Sequence, residues 1–270
     1  MRGKKYITFI CLLLSALLFA GCIHGDDDAE TEKEKEFAAI VIGSDNYEPY
    51  LYINEDGEFE GIDVELATEA FHRMGYKPEF KLIVWENKKD YLSKGDVDCL
   101  WGCFSMNGRE GEYQWAGPYL YSRQTVVVRM DSDIWDISDL AGKTVALQET
   151  SKVEEYFLHS SDKNVPDVER VYCFSSMDEV FAALRKNYVE AICGHESALS
   201  SFIRTAPAEY RLLDESLFLS KLGVAFDKGY DAGFVEELER TLDAMLEDGT
   251  TAAIVEKYGL DVDKSLGRGK

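Results

Sequence analysis

"KTVALQETSKVEEYFLHS", residues 143–160, changes character in its middle. Residues 143–148 are a short, β-branched, apolar run, which reads as a buried strand. From Glu149 the chain turns into a helix, with Thr150 or Ser151 near its N-cap. A strand feeding a helix through so short a turn is the repeating unit of an open α/β sheet.

The same alternation recurs on both sides of this stretch. Strands are predicted at residues 37–43, 79–85, 97–102, 125–130, 170–174, 190–194 and 222–226. Residues 63–75 predict a helix, because Leu66, Ala67, Ala70, Phe71 and Met74 share one face and Gly75 ends it. Ser176 and Glu179 have capping-box spacing at the start of another. Near the end, Phe234, Val235, Leu238, Leu242, Met245 and Leu246 share a helical face, and Gly249 breaks the run. The series occurs twice, before and after about residue 123. The expected fold class is α/β, with mainly parallel sheets in two lobes and a cleft between them.

The first residues read differently. Arg2, Lys4 and Lys5 precede an apolar run at residues 7–19, then Ala20, Gly21 and Cys22. That order is a secretory signal peptide, and the run is shorter than the roughly 20 residues of a spanning helix. Small residues directly before Cys22 resemble a bacterial lipoprotein signal, in which Cys22 is lipidated. Residues 23–37 are charged and nearly free of apolar side chains, as in an extended tether.

The formal net charge of the 270-residue chain is −22, and removing the three leader cations would make it −25. This excludes nucleic acid as a partner. Cys99, Cys103, Cys173 and Cys193 show no C-x-x-C spacing, and His24, His72, His159 and His195 are scattered. No metal site and no cofactor are expected, and the four cysteines read as mostly buried thiols. P-loop, dinucleotide and nucleophile-elbow patterns are absent from the sequence.

Ligands of open α/β sheets sit beyond the carboxyl ends of strands. Four segments lie there: 44–50, 102–109, 149–151 and 194–197. Tyr47 and Tyr50 can wall a small-ligand pocket or simply pack a turn. Gly102 allows close approach to the backbone, and Ser105 and Asn107 offer hydrogen-bonding groups. Arg109 carries a planar fork of donors that fits a carboxylate. It equally fits a surface charge answering Glu110 and Glu112. Thr150 and Ser151 lie where a helix N-terminus can bind an anion or be plainly capped. His195 can titrate or stand at a polar rim.

Seven segments in order then resemble the bacterial extracellular solute-binding proteins of the polar amino acid type, family 3, the capture subunits of ABC importers. They are 61–75, the spacing of Trp85, Leu92, Gly95 and Asp98, then 109–119, 136–151, 175–192, 222–229 and 246–259. The resemblance implies a type II periplasmic-binding-protein fold whose two lobes close on a ligand. It implies that Arg109 binds the ligand carboxylate and that Thr150 and Ser151 complete that site from the other lobe. Tyr47 would cover the ligand side chain, and Gly102, Cys103 and Ser105 would line the floor. The implied division is 1–21 signal peptide, 22–36 lipidated cysteine and tether, 37–122 and 221–270 lobe 1, and 123–220 lobe 2. Hinges are expected near 121–123 and 220–222.

His195 stands where the family has the aspartate that holds the ligand's α-ammonium. Histidine cannot supply that charge. Glu196, Asp45 and Glu48 are the other acids within reach, and none matches the family position. Carboxylates without a free amine are therefore expected to bind better than ordinary amino acids, the more so at low pH if His195 is protonated. The expected protein is no enzyme. It is a monomeric, lipid-anchored binding protein on the extracytoplasmic membrane face, serving an ABC permease. The alternatives are a periplasmic dehydratase-like enzyme using His195 and Glu196 as acid and base, and a sensing module for a membrane receptor.

Overall fold

The computed structural model describes residues 37–268. The signal peptide, Cys22 and the tether therefore lie outside the described residues. One continuous nine-stranded sheet organises the described chain. In its first part, β1 (Ala38–Ser44) runs parallel to β4 (Tyr76–Leu82) on one side and β5 (Cys99–Leu100) on the other. Between β1 and β4 come a two-stranded hairpin, β2 (Tyr52–Ile53) and β3 (Phe59–Glu60), and helix α1 (Ile62–Met74). Helix α2 (Lys88–Lys94) precedes β5.

Strand β6 (Gln114–Arg129) then leaves this part of the sheet. It leads to β7 (Thr144–Gln148), α3 (Lys152–His159), β8 (Arg170–Phe174), α4 (Met177–Arg185), β9 (Ala191–His195) and α5 (Glu196–Thr205). A short β10 (Tyr210–Leu212) pairs with the end of β6, and β11 (Phe218–Phe226) returns the chain. Helices α6 (Ala232–Glu247), α7 (Thr250–Lys257) and α8 (Val262–Ser265) finish it. The order across the sheet is β4-β1-β5-β11-β6-β9-β7-β8. Each half is parallel, as expected, around β1 and around β7. The two strands that join the halves, β6 and β11, are antiparallel to each other.

Local sequence explains most of these elements. Leu66, Ala67, Ala70 and Phe71 of α1 are buried, and Gly75 takes the left-handed conformation (φ 78°) that closes the helix. The capping box of Ser176 and Glu179 is present at α4. Val126 and Val128 of β6 pack in one apolar cluster, Val127 in another, which is the two-residue period of a strand buried on both faces.

Strand β6 is the main departure from expectation. The sequence predicts a strand only from residue 125, whereas β6 begins at Gln114 and runs through Gly117 and Pro118. The pairing of β6 with β11 absorbs them by a register shift between Leu222 and Val224. A bulge of this kind is where a sheet tolerates a proline. Conversely, the strand expected at 97–102 pairs only at Cys99–Leu100. Helix α2 has no clear apolar signal in the sequence and buries only Lys88 and Leu92. Helix α5, not predicted, does carry one, with Ala198, Leu199 and Phe202 buried. Among the described residues all four cysteines are free, three buried and Cys173 half-buried.

Gly102, just past β5, lies against the end of β1. A Cβ built there would fall inside contact distance of the Ser44 side chain, 2.8 Å from its Cβ and nearer still to its hydroxyl. Ser44 is fully buried. The glycine is thus needed first for strand packing. Gly102→Ala should destabilise the fold by about 1–3 kcal/mol, the usual cost of overpacking. A second change, Ser44→Gly, should restore part of that loss. Urea denaturation of the two single variants and the double variant measures it.

Candidate functional site

The ends of β1, β5, β7 and β9 face one cleft between the two halves of the sheet. Its lining includes all eight sequence-predicted residues: Tyr47, Gly102, Cys103, Ser105, Arg109, Thr150, Ser151 and His195. Asp45, Trp85, Phe104, Gln124, Gln148, Met177 and Cys193 complete most of the wall.

Arg109 ends a tight turn in which its N–H donates to the Met106 carbonyl (2.8 Å) and Gly108 is left-handed (φ 71°). Its guanidinium reaches inward. One nitrogen donates to the Ser105 carbonyl (3.2 Å) and another to the Thr150 carbonyl (3.1 Å) on the opposite half. The guanidinium carbon lies 5.2 Å from the Phe104 ring centroid. The surface-charge alternative does not describe this geometry, since Glu112 pairs with Lys89 at 2.6 Å.

Thr150 lies at the meeting point of the two halves. It is left-handed (φ 54°). Its N–H donates to the Glu154 carboxylate, and Ser151 caps α3 by accepting from the Glu154 N–H (3.2 Å). Its hydroxyl accepts from Lys88 Nζ (2.9 Å). Sequence reasoning missed Lys88, which begins the charged run "KKDYLSK" and looks solvated there. It is only 6% exposed, donates also to the Trp85 carbonyl (3.2 Å), and lies 4.9 Å from the Trp85 ring centroid. Burial, with the nearby Arg109 charge, pushes its pKa down to about 8.

Other bonds tie the same halves together. The Gln148 amide donates to the Asp45 carboxylate, and Ser197 donates to the Tyr50 hydroxyl (2.9 Å). Of the three acids considered as ammonium partners, only Asp45 lines the cleft. Glu48 is exposed and accepts from Ser201. Glu196 ion-pairs with Arg123 (3.5 Å) on the wall of a different cavity. The acid–base pairing of His195 with Glu196 is therefore not formed.

His195 is 7% exposed, edge-on to Tyr47 at 6.0 Å and to Tyr50 at 6.4 Å. Its Nε2 is 2.8 Å from the Gln124 amide nitrogen, which also donates to Ser220 Oγ (3.1 Å). Ser105 Oγ donates to the same Ser220 hydroxyl (3.0 Å). With the amide donating, Nε2 accepts and the ring proton is on Nδ1. Burial, then the Arg109 charge, pushes the imidazole pKa down to about 3. His195 is thus a neutral group. Any strengthening of binding on its protonation has to overcome this burial, which no local pattern in the sequence encodes.

Beneath the floor is a carboxyl group. Asp63, in the first turn of α1, accepts from the Cys103 N–H (2.7 Å) and the Tyr119 hydroxyl (2.9 Å). It holds Cys103 in a left-handed conformation (φ 52°) at the cleft wall. Asp63 is fully buried.

The family model of bacterial extracellular solute-binding proteins, family 3, matches residues 40–261. The chain belongs to this family. Among its relatives is the L-cystine-binding protein TcyA of Bacillus subtilis, 26% identical across 97% of this chain and all of the relative. Among solved structures, Tv2483 bound to L-arginine is 26% identical, covering 86% of this chain and 94% of that one, with a TM-score of 0.76. An ancestral amino-acid-binding protein described as a precursor of cyclohexadienyl dehydratase has a TM-score of 0.73 at 22% identity, covering 82% and 95%, and shares the fold. The two halves of the sheet are the two lobes of this fold, and the protein has the solute-binding role of its family. No helix among the described residues is long and apolar enough to cross a membrane.

The floor carboxyl yields a pH test. Burial raises the Asp63 pKa from 3.8 to about 7, with its hydrogen bonds pulling partly back. A carboxyl that keeps its proton in the folded state, and loses it when unfolded, stabilises the fold only at low pH. Its contribution should fall as pH rises from about 4 to about 7. Asp63→Asn keeps an acceptor for Cys103 and Tyr119 but cannot titrate. The difference in unfolding free energy between wild type and Asp63→Asn should slope across that window and be flat above it, as denaturant titrations at stepped pH would read.

Proposed function

We propose that the chain captures an amino acid or a related small carboxylate and delivers it to an ABC permease, anchored outside the cytoplasm through a lipid on Cys22. Arg109 carries the reading: a guanidinium aimed into the cleft, over an aromatic ring, bonded only to carbonyl oxygens. A ligand carboxylate exchanges those neutral partners for a charge-assisted, two-pronged one. Tyr47 covers the ligand, Gly102, Cys103 and Ser105 form the floor, and Thr150 and Ser151 meet the carboxylate from the second lobe. His195 contributes a neutral hydrogen-bonding group, and Asp45 supplies the negative charge for an ammonium. The lobes divide at residues 122/123 and 220/221, and closure turns on the adjoining strand segments. Amino-acid-binding relatives support the solute class. The lipid rests on the sequence around Cys22.

Two measurements test this. Thermal shift against the standard amino acids and L-cystine finds the tightest ligand, and calorimetry follows it. Arg109→Ala should weaken that ligand about 10- to 100-fold, since a hydrogen bond to a charged group contributes about 1.5–3 kcal/mol. An unchanged dissociation constant would return Arg109 to a structural role. For the anchor, Cys22→Ser should move the protein from the membrane to the soluble fraction in detergent-phase partitioning. Retention in the membrane fraction would mean an anchor of another kind.

A further inference from the structure

Thr150 is gripped by two cations from the facing lobe. Arg109 donates to its carbonyl and Lys88 to its hydroxyl. In a chain of net charge −22, neither has a carboxylate within salt-bridge distance among the described residues. Among the described residues Lys88 is also the one buried side chain that is a lysine or arginine. A buried ammonium is costly unless a counter-charge meets it. Of the acids acting on it from a distance, Glu154 is bonded to the Thr150 N–H, and Asp45 lies on the cleft wall bonded to the neutral Gln148 amide.

The space around Lys88 adjoins the cleft. A second cavity shares Arg109, Thr150 and Ser151 with the first, and Lys88 lines it together with Lys89 and the carboxylates Glu86, Asp90, Glu112, Glu154 and Glu155. Arg109 thus stands on the wall of both spaces, and Lys88 on the wall of the second. In the cleft itself the only lining carboxylate among the described residues is Asp45. Lys152, also on the cleft wall, is paired with Glu155 at 2.6 Å. The charges left without an ion pair are thus Arg109 and Lys88 at one turn, and Asp45 on the cleft wall.

We propose that the ligand is an α-amino acid with a second carboxylate, one carboxylate on Arg109, the other on Lys88, and the ammonium on Asp45. This rests on the carboxylate-solute reading above and narrows it. Acidic amino acids have this chemistry, and L-cystine has it with a second ammonium added.

Calorimetry on the full-length, detergent-solubilised chain at pH 7 tests it. The probes are L-aspartate with L-asparagine, L-glutamate with L-glutamine, L-2-aminoadipate, L-cystine, and the remaining standard amino acids. The dicarboxylate of at least one matched pair should bind at least tenfold tighter than its amide, or L-cystine at least tenfold tighter than L-cysteine; the arm that responds names the source. Lys88→Met should bring that ratio close to one, and Lys88→Arg should keep it. Equal affinities in wild type would overturn the proposal whether or not Lys88→Met folds. So would a preference that survives in a folded Lys88→Met. Tight binding of monocarboxylic amino acids alone would overturn it and leave the carboxylate-solute reading standing. Binding of no probe at all would overturn both.

Discussion

The pairing of β6 with β11 is the constraint on which the remaining structure depends. Their ladder runs from Gln114 opposite Phe226 to Gln124 opposite Phe218. At one end β11 is bonded to β5 of the first lobe, and beyond the other β6 is bonded to β9 of the second. Four strand ends can face one another only because two continuous strands set the lobes at a fixed separation. The Ser105–Ser220–Gln124–His195 chain of hydrogen bonds lies across this crossing, so cleft and crossing strands share side chains.

Desolvation gives the cleft its electrostatic character. It leaves the imidazole of His195 neutral, lowers Lys88 and raises Asp45. Arg109 keeps its charge in any protein environment. A negatively charged chain thus presents positive charge where its lobes meet, and presents it in a dry setting where it acts strongly at short range.

What was legible in the sequence followed local rules. The buried strands at 38–44 and 144–148, the helix closed by Gly75 and the capping box of Ser176 each need only a few neighbouring residues to specify them. The eight cleft residues were found by combining strand ends with a family resemblance. Lys88 was hidden because a lysine in a charged run looks solvated until Trp85 and Thr150 are folded over it. Gln124 was hidden in mid-strand, where only the partner across the ladder gives it meaning. Gln148 was within reach, since it is the last residue of a predicted strand. The neutrality of His195 depends on Tyr47 and Tyr50, about 150 positions away in the chain, and no short-range pattern reports it.

The hydrogen bonds between the lobes share one trait. Arg109 and Lys88 to Thr150, Gln148 to Asp45, and Ser197 to Tyr50 each involve at least one side chain. None belongs to the sheet ladder. Opening can therefore break them together while every strand stays paired. In the proposed capture cycle a ligand's residence time would be set by the simultaneous loss of several modest contacts, and small changes at any one of them would act on the release rate without touching the frame that positions the rest.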